Sequence, residues 1–147
     1  MKSAFTLIEV LVVIAIIGVL STMFLPNFMA ARERARDSQR KSDLRQIQKA
    51  LELYKQDQVD SSFPATDNFP TANQCWSSGV NCTGNIYMNK FPADPAGRSY
   101  YYFRGFDLIT YTLCACLENK ADPDGIKSNC NIVYMCSSGL SYVVNQP

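Results

Sequence analysis

The sequence predicts an α+β protein: one N-terminal helix of about 50 residues, apolar in its first half, packed through its second half on a small antiparallel sheet of about four disulfide-stapled strands. Three observations carry this reading. No charged residue occurs in the 22 residues from Val10 to Ala31, whose centre reads VLVVIAIIGVL. Leu44, Ile47, Leu51 and Tyr54 then recur at steps of three, four and three, the signature of one apolar helix face. All six cysteines, Cys75, Cys82, Cys114, Cys116, Cys130 and Cys136, fall in the second half of the chain.

The whole chain, 147 residues with 47 % hydrophobic content, can bury one small core. Its net charge of +1 gives no global attraction to nucleic acid or anionic lipid. Zero histidines remove the usual neutral-pH general base and the commonest zinc ligand, so enzymatic readings start poorly. The charges are zoned: residues 30–57 carry eight basic and five acidic side chains, and residues 58–147 carry five and seven. Four segments follow: residues 1–4, an apolar helix over 5–31, a charged amphipathic helix over 32–57, and a head over 58–147.

The apolar helix, at 1.5 Å per residue, spans about 33 Å over its uncharged run, close to the hydrocarbon thickness of a bilayer. It starts near Thr6 and has no clear stop before Asp57. Gly18 and Pro26 are its weak points, because glycine lowers helix propensity and proline removes a backbone donor. Residues 58–90 are rich in turn formers and read as a long loop. Tyr100 to Phe103, Leu108 to Leu117, Ile132 to Cys136 and Ser141 to Val144 have strand character, the last two forming a hairpin around Ser137, Ser138 and Gly139. In the second strand Ile109, Tyr111, Leu113, Ala115 and Leu117 share the face expected to cover the helix stripe, leaving Cys114 and Cys116 on the other. The 12 % aromatic content is assigned to core packing.

Six cysteines in so small a domain fit a disulfide framework in an oxidising compartment, with 15 possible pairings. We expect Cys75 with Cys82, and a nested pair of Cys116 with Cys130 inside Cys114 with Cys136. The cluster of Arg32, Arg34, Arg36, Arg40, Lys41 and Arg45 argues the other way, since basic flanks prefer the cytoplasm. The cysteines weigh more, and the head is placed outside the membrane. The mixed charges of residues 32–57 are expected to be solvated or to act between subunits.

Glu9 does not fit a plain anchor. A carboxylate at the centre of a bilayer costs about 2.5 to 3.5 kcal/mol, less near its edge, and such a group usually marks a partner. No cation occurs among residues 5–31, so the partner is Lys2, another chain or a newly made amino terminus.

The start of the chain, MKSA followed by FTLIEVLVVIAIIGVL, resembles the class III signal of type IV pilins and pseudopilins. That resemblance implies cleavage by a prepilin peptidase between Ala4 and Phe5 and N-methylation of Phe5. Alanine at position 4 departs from the commoner glycine but is still small. Glu9 becomes the fifth residue of the processed chain, the position that in this family pairs with the amino terminus of an adjacent subunit. Gly18 to Pro26 corresponds to a segment that loses helical order in assembled filaments. A second stretch, YMNKFPADPAGRSYYY, is similar to the pattern of the major pseudopilin of type II secretion, carried by Tyr87, Met88, Pro92, Asp94, Pro95, Gly97 and Tyr100. Their expected roles are structural: the prolines stop helix, Asp94 bonds nearby backbone donors and Gly97 permits a turn.

The resemblance implies a structural subunit of a type IV pilus or related pseudopilus with a pilin-like fold, the alternative within the class being a type II secretion pseudopilin or a competence pilin of the same design. Its partners would be identical subunits, the peptidase, an inner-membrane assembly platform and, before assembly, lipid; DNA is not expected. The precursor would be a single-pass inner-membrane protein with an extracytoplasmic head. Outside this class, an anchored extracytoplasmic binding module with an ordinary signal peptide is the alternative. No cofactor is expected, although the pseudopilin family holds calcium in a loop before its last strands. Glu118, Asn119, Asp122, Asp124 and Asn129 are the candidate ligands here, with Cys130 suggesting a disulfide staple in the metal's place.

Overall fold

A computed structural model describes residues 5–131 and 134–146, excluding the side chains of residues 23–27. Helix α1 runs from Leu7 to Asp57, as the uninterrupted helical composition predicts. The Thr6 hydroxyl accepts the Glu9 amide at 3.4 Å, so Thr6 caps one of the free donors of the first turn. Further along, Ser21 and Thr22 donate their hydroxyls to the Ile17 and Val19 carbonyls, which hides their polar atoms within the helix. Two compact units divide inside α1, between Glu33 and Arg34. Among the described residues no helix is long and apolar enough to cross a membrane. The sequence-based span draws on the uncharged run Val10 to Ala31, part of whose side chains lie outside that description. The loosening expected at Pro26 leaves no break in the helix, which is assigned without interruption from Leu7 to Asp57.

In the second unit the stripe of α1 becomes core. Leu44, Ile47 and Leu51 are fully buried against Tyr111, Leu113 and Ala115, with Tyr54 at the margin. A three-stranded antiparallel sheet provides that cover in the order β3 (Tyr101–Arg104), β4 (Tyr111–Cys116), β5 (Ser141–Asn145). Period two puts Leu113 and Ala115 toward the helix and Cys114 and Cys116 on the opposite face, which the disulfides close.

The structure corrects the strand assignments in four places. β4 begins at Tyr111 rather than Leu108, because Leu108 has φ 65° in a turn closed by the Gly105 amide on the Thr110 carbonyl. Among the described residues of the expected strand Ile132 to Cys136, positions 134–136 are not extended; Ile132 and Val133 lie outside the description. β5 pairs with β4, with Cys116 opposite Ser141 and Cys114 opposite Val143, and on its other edge Ser141 bridges Ile126, so among the described residues no hairpin joins positions 134–136 to β5. Contacts at the end of β4 explain the pairing. Leu117 takes the Ser138 hydroxyl on its carbonyl and gives its amide to Leu140, fastening the turn before β5 beside β4. The long loop, finally, holds a 3-10 turn at Thr66–Asn68 and a second sheet of β1 (Trp76–Ser77) and β2 (Ile86–Met88). Phe69 stacks on Tyr102 with ring centroids 4.2 Å apart, and Trp76 stacks on Tyr54, so the aromatics do pack the core.

All six cysteines are paired, but only Cys75–Cys82 matches the expected connectivity. The other bridges are Cys114–Cys130 and Cys116–Cys136, interleaved rather than nested. The turn Cys136–Leu140 lies against the end of β4, so Cys136 meets Cys116. Cys130, further back along the chain, meets Cys114 one pleat repeat away.

Candidate assembly site and the helix–head junction

The apolar part of α1 is exposed all round in the single chain. Every large apolar residue from Phe5 to Leu20 is between 49 % and 82 % accessible, with no covering element among the described residues. A helix apolar on all faces is stable only when buried in lipid or among other helices. Glu9 lies exposed at its head, and no ion pair to it is found among the described residues. Gly18 is helical, and a Cβ added there would meet nothing within 4 Å, so nothing among the described residues demands glycine. Ala4 lies outside the described residues, as does the Pro26 side chain.

Within the first turns of the amphipathic half, charges expected to be solvated are buried inside the chain. Arg40 is 1 % exposed. Its guanidinium donates to Asp37 at 2.8 Å, to both oxygens of Asp94 at 2.6 and 3.2 Å, and to Glu118 at 2.7 Å. Arg36 adds a bidentate pair to Glu118, Nε to Oε1 and Nη2 to Oε2. The Asp37 carboxylate, fully buried, also accepts the Glu118 and Asn119 amides. Three elements are thereby locked together: α1, the loop of Asp94 and the chain leaving β4.

The motif from Tyr87 to Tyr100 supplies the remaining clasps. Asp94 accepts the Ala96 and Arg98 amides, as its turn role predicts, while the same carboxylate holds Arg40. The Tyr100 hydroxyl donates to the buried Asp43 at 2.7 Å, and Tyr87 donates to Asp57 at the end of α1. Gly97 turns the loop toward β3 with φ +77°. Sequence reasoning found these motif residues but missed Asp37, Arg40 and Asp43. A signal was present: positions 37 and 40 continue the three-and-four spacing of Leu44, Ile47, Leu51 and Tyr54 upstream, onto the same buried face.

The electrostatics give this junction a pH dependence. The Arg36 and Arg40 guanidiniums outweigh burial and hold the Glu118 carboxyl at about 2, against an ordinary 4.5. Burial would raise Asp94, but hydrogen bonds from Arg40 and the Ala96 amide keep it below its usual range. A carboxyl held down in the folded state contributes stability above its unfolded value, and that stability is lost as pH falls toward the folded value. Asp43 has the opposite sign: burial and the nearby Asp94 charge raise it despite the Tyr100 hydrogen bond, so its protonation favours the fold. Urea midpoints are expected to fall between pH 4.5 and 2. In Glu118→Gln that acid limb flattens, by on the order of 2 kcal/mol.

The candidate calcium ligands are already engaged, and among the described residues their carboxylates form no metal-holding group of three. Glu118 serves the arginines, and Asn119 and Asn129 accept the Ala121 and Cys136 amides. Asp122 and Asp124 both bind the Lys41 ammonium, at 2.5 and 2.7 Å. Donors committed in this way do not fit a metal ion.

Comparison with known proteins accords with the two motifs. Residues 1–25 match the prokaryotic N-terminal methylation motif, and residues 27–132 match the model of type II secretion system protein G. The chain is 34 % identical to type II secretion system core protein G of Escherichia coli K12 over 84 % of its length and 83 % of that relative. The protein of the same name from Pseudomonas aeruginosa is 33 % identical over 69 % and 72 %, and that of Vibrio cholerae 32 % over 69 % and 70 %. No solved structure matches. Paired with a long helix, antiparallel sheets and disulfides, these matches place the chain in the type II secretion system protein G family, a family of structural pseudopilins.

Proposed function

We propose that the precursor is held in the inner membrane by residues 5–31, cut after Ala4 by a prepilin peptidase and N-methylated at Phe5. It then assembles with identical copies, from an inner-membrane platform, into a helical pseudopilus of the type II secretion system. The observation that carries this reading is the apolar surface from Phe5 to Leu20, exposed on every face and headed by one carboxylate. In lipid that surface is already out of water, so assembly there gains close packing rather than hydrophobic free energy. Once a subunit leaves the membrane, only neighbouring helices can cover it. Head-to-tail contacts related by a screw do not close, so they build a fibre.

Glu9 sets the stagger in this scheme. Methylation leaves the Phe5 amine cationic, so the amine of one subunit can pair with the Glu9 carboxylate of the next. Gly18, free of contacts in the single chain, offers the bare backbone that close helix packing between copies uses. N-terminal sequencing of the chain from membranes and from sheared filaments tests the processing. Methylated phenylalanine, Phe5, is the expected first residue. A start beyond Met23 would mean an ordinary signal peptide and would overturn the reading.

A further inference from the structure

Between β4 and β5 two carboxylates converge on one point, and that point holds an ammonium group. We propose that Lys41 takes the place of a divalent cation in this loop, so that the head of this pseudopilin keeps its fold without calcium. The arrangement goes beyond filament assembly and stands independently of it.

Calcium needs six to eight oxygen ligands. Glu118, Asn119 and Asn129 are spent on the arginines and on backbone amides, which leaves Asp122 and Asp124. Both bind Lys41 Nζ, and Asp122 also accepts the Asp124 amide, which fixes the turn. A metal ion would have to expel an ammonium whose side chain is only 15 % exposed and lies 5.7 Å from the Tyr142 ring. It would also have to enter a groove lined by Arg34 and Arg45 beside Lys41, where the field opposes a second cation.

The other tasks of a loop metal are covered as well. Cys114–Cys130 and Cys116–Cys136 tie the two ends of the loop, and Asp37 holds the Glu118 and Asn119 amides. Lys41 also links the loop directly to α1.

The test is thermal unfolding of the full chain in detergent with its disulfides intact, in a calcium chelator and in millimolar calcium chloride. The wild type is expected to melt within about 1 °C in the two conditions. Lys41→Gln is expected to melt about 3 °C or more lower in chelator, and calcium returns part of that loss, because two unpaired carboxylates then face each other. A wild-type melting point that rises with calcium overturns the proposal. So does Lys41→Gln melting like the wild type in chelator, and so does a destabilised Lys41→Gln indifferent to calcium. None of these outcomes bears on whether filaments form.

Discussion

Arg40→Met is expected to destabilise the head by about 3 to 5 kcal/mol, the cost of leaving buried charge without its partner. Asp37 is fully buried, the Asp94 side chain is 4 % exposed, and both meet the same guanidinium. Removing it strands two carboxylates whose remaining donors are backbone amides. The loss should appear as a lower urea midpoint and as proteolysis of the head at temperatures the wild type resists. Arg40→Lys should recover only part, since a single ammonium cannot meet Asp37, Asp94 and Glu118 in the fixed geometry of a guanidinium. Adding Asp94→Asn to Arg40→Met should return a share of the stability by removing one stranded charge, a coupling that distant sites do not show. Lys49→Ala, an exposed position on the same helix, should stay within about 0.5 kcal/mol of wild type.

The second large effect is expected at Glu9. Glu9→Val should leave the head folded, the membrane anchor intact and cleavage after Ala4 unimpaired, while filament yield falls by about tenfold or more, the effect of losing roughly 1.4 kcal/mol per added subunit. The change makes the helix more apolar, so it favours the membrane-stored state. It also leaves the amine of each incoming subunit facing hydrocarbon without a counter-charge. Glu9→Gln should behave similarly, because an amide keeps the shape but not the charge. Quantifying sheared filaments against the membrane-bound pool separates this defect from instability. A membrane pool that also collapsed would indicate misfolding instead.

The N-terminal segment and the head differed in how openly the sequence declared them. The N-terminal segment was legible because its chemistry is local: an uncharged run, one carboxylate and a small residue before phenylalanine are read from consecutive positions. The helix stripe was legible for the same reason, since Leu44, Ile47, Leu51 and Tyr54 repeat at the helical period. Arg40 was not, because an arginine on a charged helix ordinarily faces water, and its burial depends on Asp94 and Glu118, more than fifty residues away. Only the continuation of the stripe to positions 40 and 37 gave it away.

Pairing in the head was least legible. Cys114 and Cys116 are correctly placed on one face by period two, yet which of Cys130 and Cys136 each meets depends on where the turn before β5 docks. The Leu117 contacts with Ser138 and Leu140 decide that. β1 and β2 were missed because strands of two and three residues are too short to show alternation.

A helical reconstruction of the assembled pseudopilus at side-chain resolution tests the central claim most directly. The account predicts the methylated Phe5 nitrogen of each subunit within about 4 Å of a Glu9 carboxylate on its neighbour, enclosed by apolar helices. Polymers in which Glu9 faces water, with no cation from a neighbouring subunit beside it, would contradict it.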